Sequence, residues 1–348
     1  LQYQTNKINN QKTKNKKAML IQDINNLALA EANEAYMEAV DFDKNYISLP
    51  MPNKIRRMPY GNSRKYFTKN GNEPYLFNGL TEVCKILTPL NYDSYALDVW
   101  KKEQGAAGDV VMYEAALLGT YMHVFCGQIA KAYMAGKTLM VSNSEAATFE
   151  QYLLGRGVRP FKISEFWRRV LKGAQSFNNF LVRHDIKILA IEYPVFSLDK
   201  MIATPLDIIC EATIDGVRRV CNFNIKFRET AAAYESDALQ ICGEMYLYNA
   251  YIEAFKIDAP KIERTFILVP KSHPTARVEC FIKEFTNIYT EQDFDDDILF
   301  LKQKPKFKGI FAPDLTAQTT KVENLQLGAT VEVTAGQTIA DFILSFKD

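Results

Sequence analysis

No stretch of the chain approaches the roughly eighteen uninterrupted apolar residues that span a bilayer. Residues 1–20 also lack an apolar signal core. A soluble, non-secreted protein is the expectation. Cysteine is sparse and scattered: Cys84, Cys126, Cys210, Cys221, Cys242 and Cys280 form no C-x-x-C pair and have no histidine at zinc spacing. Free thiols in a reducing compartment follow from that pattern. Net charge is nearly absent at +1, so attraction to nucleic acid has to come from a local basic surface and not from an overall field. What remains is an ordinary globular composition over 348 residues, 47% hydrophobic and 24% charged, enough for one large core or two modest ones.

Along the chain, residues 6–17 are polar and basic, an arm that either touches phosphates or keeps the terminus solvated. Residues 18–43, rich in Ala, Leu and Glu, suit a helix. From Ser48 to Gly71 the prolines Pro50, Pro52 and Pro59 and two glycines predict a loop-rich connector, with Lys54, Arg56, Arg57, Arg64 and Lys65 between aromatics as a candidate nucleic-acid surface. Helical periodicity begins at Leu80–Leu87 and continues over 95–102, 110–135, 143–155 and 163–184.

The character changes at Ile186. IKILAIEYPVFS, IATPLDIICEAT and VRRVCNFNIKF are short apolar runs rich in Ile, Val and Phe, and Asp215-Gly216 between the second and third is a strong hairpin signal. An antiparallel meander is expected there. It is followed by a helix over 232–255, a strand over 264–269 and a further strand over 278–282. Residues from Phe300 onward contain the strand-like ATVEV and FILSF and have no assigned role. The expected architecture is α/β of the α+β type: a central mixed sheet containing the meander, flanked by helices. The expected divisions are a basic arm, helix and connector over 1–74, a core over 75–285 and a C-terminal extension over 286–348.

Polar residues punctuate the apolar strands: Glu192 on the first, Asp207 on the second, Asn224 and Lys226 on the third. Asn224 and Lys226, two apart, share one face of a strand, and Asp207 on the adjoining strand can share it. Carboxylates beside a lysine can hold a hard divalent cation and activate water at a phosphate. Alternatively, Asp207 and Lys226 are charges that blunt a sheet rim, with Glu192 facing solvent.

The order of these motifs resembles the PD-(D/E)XK nucleases of the RecB and lambda-exonuclease kind, including phage and mitochondrial members. The resemblance extends over roughly residues 75–270. GLTEVCKIL and LDVWKKEQG are similar to the family's entry helices, and LGTYMH to its G-T-x-x-H motif. IEYP supplies the early glutamate, TPLD the acid of the PD half, and NIK stands where (D/E)-x-K belongs. LQICGEMY is similar to the following helix, whose glutamine, here Gln240, faces the site. The family commonly has tyrosine four residues after that glutamine, whereas this chain has Glu244 there and a tyrosine at Tyr246.

The resemblance implies a restriction-endonuclease-like core and a Mg²⁺- or Mn²⁺-dependent deoxyribonuclease, of the exonuclease kind, using metal-activated water. Glu192, Asp207, Asn224 and His123 would hold the metal, and Glu192, Asp207, Asn224, Lys226 and Gln240 would form the catalytic set. Its partners would be DNA, single-stranded or with free ends, and a replication, recombination or repair complex. The setting would be the cytoplasm or nucleoid of a bacterial or phage-infected cell. His123 and Gln240 each have a plainer reading as ordinary helix residues.

Asn224 is the departure. An amide oxygen can ligate a divalent cation but brings no negative charge, so metal affinity and the acidity of bound water both fall. Three accounts stay open: an acid replaced to trap an inactive complex, a nuclease that tolerates the amide, or a relative that kept the fold and lost the chemistry. Survival of Glu192, Asp207, Lys226, His123 and Gln240 as a set points to the first. A non-catalytic nucleic-acid-binding or assembly protein on the same fold is the alternative function.

Overall fold

The structure, a computed structural model, describes residues 49–50, 55–60, 63–88, 99–100, 102–136, 143–228, 234–273, 277–313, 315–316 and 338–344. The expected arm and helix over 6–43, much of the helix expected over 95–102 and the ATVEV segment lie outside these residues.

The described elements in chain order are β1 (Arg56–Tyr60), β2 (Ser63–Asn70), β3 (Glu73–Gly79), α1 (Leu80–Leu87), α2 (Ala106–Met134), α3 (Asn143–Leu154) and α4 (Pro160–Arg183). There follow β4 (Lys187–Ser197), β5 (Ile202–Ile214), β6 (Val217–Ile225), α5 (Glu235–Ala254), β7 (Arg264–Pro270), β8 (Cys280–Glu284) and α6 (Glu291–Gln303). A 3₁₀ turn at Pro305–Phe307 leads into the short helices α7 (Lys308–Phe311) and α8 (Ile339–Leu344).

All eight strands belong to one mixed sheet, ordered β1-β2-β3-β5-β6-β7-β8 with β4 paired to β5 off that path. The meander β4-β5-β6 is antiparallel, and its second turn is closed by Asp215 and Gly216, both at positive φ (54° and 74°), the backbone of a tight two-residue hairpin. β6 and β7 are parallel, so the chain between them must cross over the sheet, and α5 makes that crossing.

Helices cover both faces. One apolar cluster joins α1, α5 and α6 to the sheet through Leu80, Leu239, Ile241, Tyr248, Phe294 and their neighbours. The other joins α2, α3 and α4 through Leu118, Phe125, Phe149, Val170, Phe177 and Phe223. Strands covered on both faces cannot alternate apolar with polar residues, which is why β4 and β5 read as nearly continuous apolar runs. Likewise α5 is buried through Ala238, Leu239 and residues 241–248 because it is enclosed, whereas α4 keeps a stripe (Ile163, Phe166, Val170, Ala174, Phe177, Leu181) and a polar outer face.

Two expectations are corrected. The stretch read as a loop-rich connector is the strand meander β1-β2-β3, continuous with the main sheet through β3 and β5. Its prolines are compatible with that because Pro59 lies in the terminal strand β1, where an absent N–H is tolerated. The strand-like FILSF falls largely within α8, whose start is fixed by Thr338: its Oγ1 accepts from the Asp341 N–H at 3.1 Å. Of the described residues beyond 285, Phe294, Ile298, Leu301 and Phe311 are buried in the core.

Among the described residues, α2 alone is long and apolar enough to cross a membrane by length and composition. Here it packs along α4 and carries a candidate site residue on its flank. The six cysteines are unpaired.

Candidate metal centre

The register of the meander builds a row. Ile191 and Tyr193 of β4 lie opposite Ile208 and Leu206 of β5, so Glu192 and Asp207 fall between these pairs. Ile208 lies opposite Phe223 of β6, and one step further brings Asn224 opposite Asp207. Three consecutive strands thus present Glu192, Asp207 and Asn224 side by side.

Within a strand, Glu192 holds a left-handed backbone, φ 51°. That conformation is uncommon for a residue with a side chain, costs on the order of 1–3 kcal/mol and concentrates at functional sites. His123 reaches the row from α2 on the other side of the sheet: its Nδ1 is 3.7 Å from Asp207 Oδ2. One ligand atom each from His123, Glu192 and Asp207 lie within 4.8 Å of one another. Oxygen ligands bind a divalent cation at about 2.0–2.6 Å, so ligands on opposite sides of it are roughly 4–5 Å apart. The spacing therefore suits a shared cation. Asp207 is further fixed by the Ile225 N–H, which donates to its Oδ2 at 2.7 Å.

Asn224 is 3% exposed. Its Nδ2 donates to Glu244 Oε1 at 2.8 Å, while its Oδ1 is buried with no hydrogen-bond partner. Two residues earlier on the same face, Asn222 donates to Glu244 Oε2 at 2.9 Å. Lys226 Nζ donates to Gln240 Oε1 at 2.9 Å, and Gln240 Nε2 donates to Glu244 Oε1, also at 2.9 Å. Gln240 and Glu244 are four apart on α5 and so share the helix face turned to the strands.

The start of α5 is anchored independently. Arg228 makes a two-pronged contact with Asp237 at 2.7 and 2.6 Å, stacks on Tyr234, and Asp237 also accepts from the Tyr234 N–H at 2.9 Å. This pins the helix that aims Gln240 and Glu244.

Glu244 is fully buried. Desolvation, and next the charge of Asp207, push its carboxyl up to about 7, against the stabilising donation from Asn222 and Gln240 and the nearby Lys226 charge.

The structure brings His123, Glu192 and Asp207 together in one cluster, and Asn224, Lys226 and Gln240 into one hydrogen-bonded network on β6 and α5, each of the six singled out in the sequence. Glu244 is the addition. It was visible only as a mismatch with a family pattern, although a glutamate inside the apolar run LQICGEMYLY is itself a signal that something must satisfy it.

The expected nucleic-acid surface fares differently. Lys65 is a correction: it is buried, its ammonium donates to Asn78 Oδ1 and pairs with Glu82 at 3.6 Å. Desolvation lowers its pKa. A strand residue whose side chain turns into the core cannot offer its charge to a phosphate. Arg56 is half-buried on β1. Lys54 and the side chains of Arg57 and Arg64 lie outside the described set.

No protein-family model matches the sequence, and no curated protein does.

Proposed function

We propose that this chain is a metal-dependent DNA nuclease of the PD-(D/E)XK kind, built on a restriction-endonuclease-like core and hydrolysing phosphodiester bonds. The observation that carries this reading is the convergence of Glu192, Asp207 and His123 within one cation's reach, with the Lys226 ammonium on the neighbouring strand held by Gln240.

The donor set fits a hard cation. Two carboxylates and an imidazole stand together, and the buried Oδ1 of Asn224 has no partner of its own. Such an oxygen is costly unless something electropositive meets it. Mg²⁺ or Mn²⁺ at this place would supply positive charge to a phosphate and lower the pKa of water. Glu192, Asp207 and the Asn224 oxygen would hold it, with His123 on the more exposed side. Lys226 presents its charge where negative charge develops on phosphate oxygens, and Gln240 keeps that ammonium from wandering.

Asn224 sets the level of activity. With an amide in place of a third carboxylate the ligand set carries less negative charge, so the cation binds more weakly and the reaction slows. The test compares the Asn224 chain, the reference called wild type below, with Asn224→Asp on single- and double-stranded DNA, with free ends and without, in Mg²⁺ and Mn²⁺. Cleavage by either that Asp207→Asn abolishes supports the proposal. Failure of both proteins to cut any substrate or to bind either metal sinks it.

Asn224 also favours a second reading, a DNA-binding protein on the same scaffold without cleavage. Salt-dependent DNA binding that needs no metal, together with the absence of cleavage by Asn224→Asp, would select it.

A further inference from the structure

We infer that Glu244 and Asn224 act as one unit, in which Glu244 is a positioning residue that turns the amide oxygen of Asn224 toward the cation and supplies from the helix the negative charge that the strand lacks. The inference rests on the metal-site reading above.

Its first support is the direction of the amide. Asn224 Nδ2 is committed to Glu244 Oε1 at 2.8 Å, and a planar amide so held must point its oxygen elsewhere. That oxygen is buried and has no hydrogen-bond partner, on a residue that stands across from Asp207 in the next strand. Turning the amide over would set a carbonyl oxygen against a carboxylate oxygen, so Glu244 holds it in one of its two orientations.

The second support is the convergence on Glu244. Asn222, Asn224 and Gln240 all donate to it, at 2.9, 2.8 and 2.9 Å. Three amide donors around one fully buried carboxylate form a network whose members are oriented by that one residue. Gln240 in turn orients Lys226, so the same carboxylate reaches the ammonium through one intermediary. An apolar side chain would fill the position at less cost in desolvation. Retaining an acid there makes sense if its charge serves the cation site, and a carboxylate just behind a ligand strengthens that ligand as outer-shell partners do.

The experiment titrates Mn²⁺ into the full chain by calorimetry for the wild type, Glu244→Gln, Asn224→Asp, the double variant Asn224→Asp/Glu244→Gln and Asp207→Asn, with circular dichroism on each. Glu244→Gln, folded, should bind Mn²⁺ about ten- to hundredfold more weakly. The double variant, which moves the charge from helix to strand, should recover affinity at least to the wild-type level. Folded Glu244→Gln binding Mn²⁺ like the wild type, where Asp207→Asn does not bind, overturns this inference and leaves the metal-site reading standing. Absence of Mn²⁺ binding by the wild type where Asn224→Asp binds overturns this inference alone, and absence of binding by both overturns the metal-site reading as well. Should Glu244→Gln fail to fold, the double variant decides: wild-type affinity or better supports the unit, and affinity below that of the wild type overturns it.

Discussion

The Asn224 side-chain amide donates to the fully buried carboxylate of Glu244 across 2.8 Å. An acid at position 224 would therefore do more than restore a motif. It would set two carboxylates in contact inside the core.

A stability prediction follows from that contact. Asn224→Asp should lower the melting temperature of the metal-free protein, by the equivalent of about 1–3 kcal/mol, because like charges this close cannot both ionise without cost. The loss should be larger at pH 8 than at pH 5, where one of the two carboxyls keeps its proton. Adding Mn²⁺ should shrink it. Thermal melts of both proteins at the two pH values, with and without Mn²⁺, check all three statements; a loss independent of pH would point to a packing defect instead.

Wild-type stability should carry its own pH dependence from Glu244. Its folded-state pKa is raised, from 4.5 to about 7, so between those values the folded protein holds a proton that the unfolded chain releases. Stability then falls as pH rises. The contribution is fully present below 4.5 and is lost as pH climbs through about 7. Denaturant unfolding of metal-free protein from pH 4 to 8 should show that decline, and Glu244→Gln should flatten it. A wild-type curve that rises across this window would contradict the assignment.

How much of this was legible in the sequence depends on which interactions are local. Glu192, Asp207, Asn224 and Lys226 could be placed together because side chains alternate along strands and apolar runs mark where the strands lie. The Asp215-Gly216 turn fixed the pairing of two of them. The role of Glu244 was not legible, since its partners Asn222 and Asn224 are on another element and the link exists only once α5 folds over β6. β1-β2-β3 was misread because Pro59 and the glycines dominate a local reading, while their tolerance depends on an edge position that only the finished sheet defines. In FILSF, aromatic and β-branched residues suggested a strand, and the Thr338 cap together with packing decided for a helix.

Lys226 and Gln240 should separate in a kinetic experiment. Lys226→Ala should lower kcat by about 10²–10³-fold while changing Mn²⁺ affinity little, since in the proposed reaction the ammonium serves developing charge and not the cation. Gln240→Ala should produce a smaller fall in kcat, because Lys226 keeps its charge and loses only its anchor. These measurements need an active background, for which Asn224→Asp/Glu244→Gln serves. Equal losses in both variants would mean that Gln240 contacts substrate directly.

Gly243 tests how the helix that carries Glu244 is held. A methyl group there would lie 2.9 Å from a ring carbon of Phe294 and 3.2 Å from Leu80, both fully buried. Alanine is the better helix former by about 1 kcal/mol, yet overpacking a closed core costs about 1–3 kcal/mol, and the ring of Phe294 has no exposed side toward which to yield. Gly243→Ala should therefore destabilise on balance. Because α1 and α6 press α5 against the sheet at this point, relief of the clash displaces α5 and lengthens the reach from Glu244 to Asn224. Mn²⁺ affinity should fall together with melting temperature. A variant that loses stability with unchanged affinity would show that the contacts of Glu244 are set by its own side chain and its amide donors, independently of how closely the helix is packed.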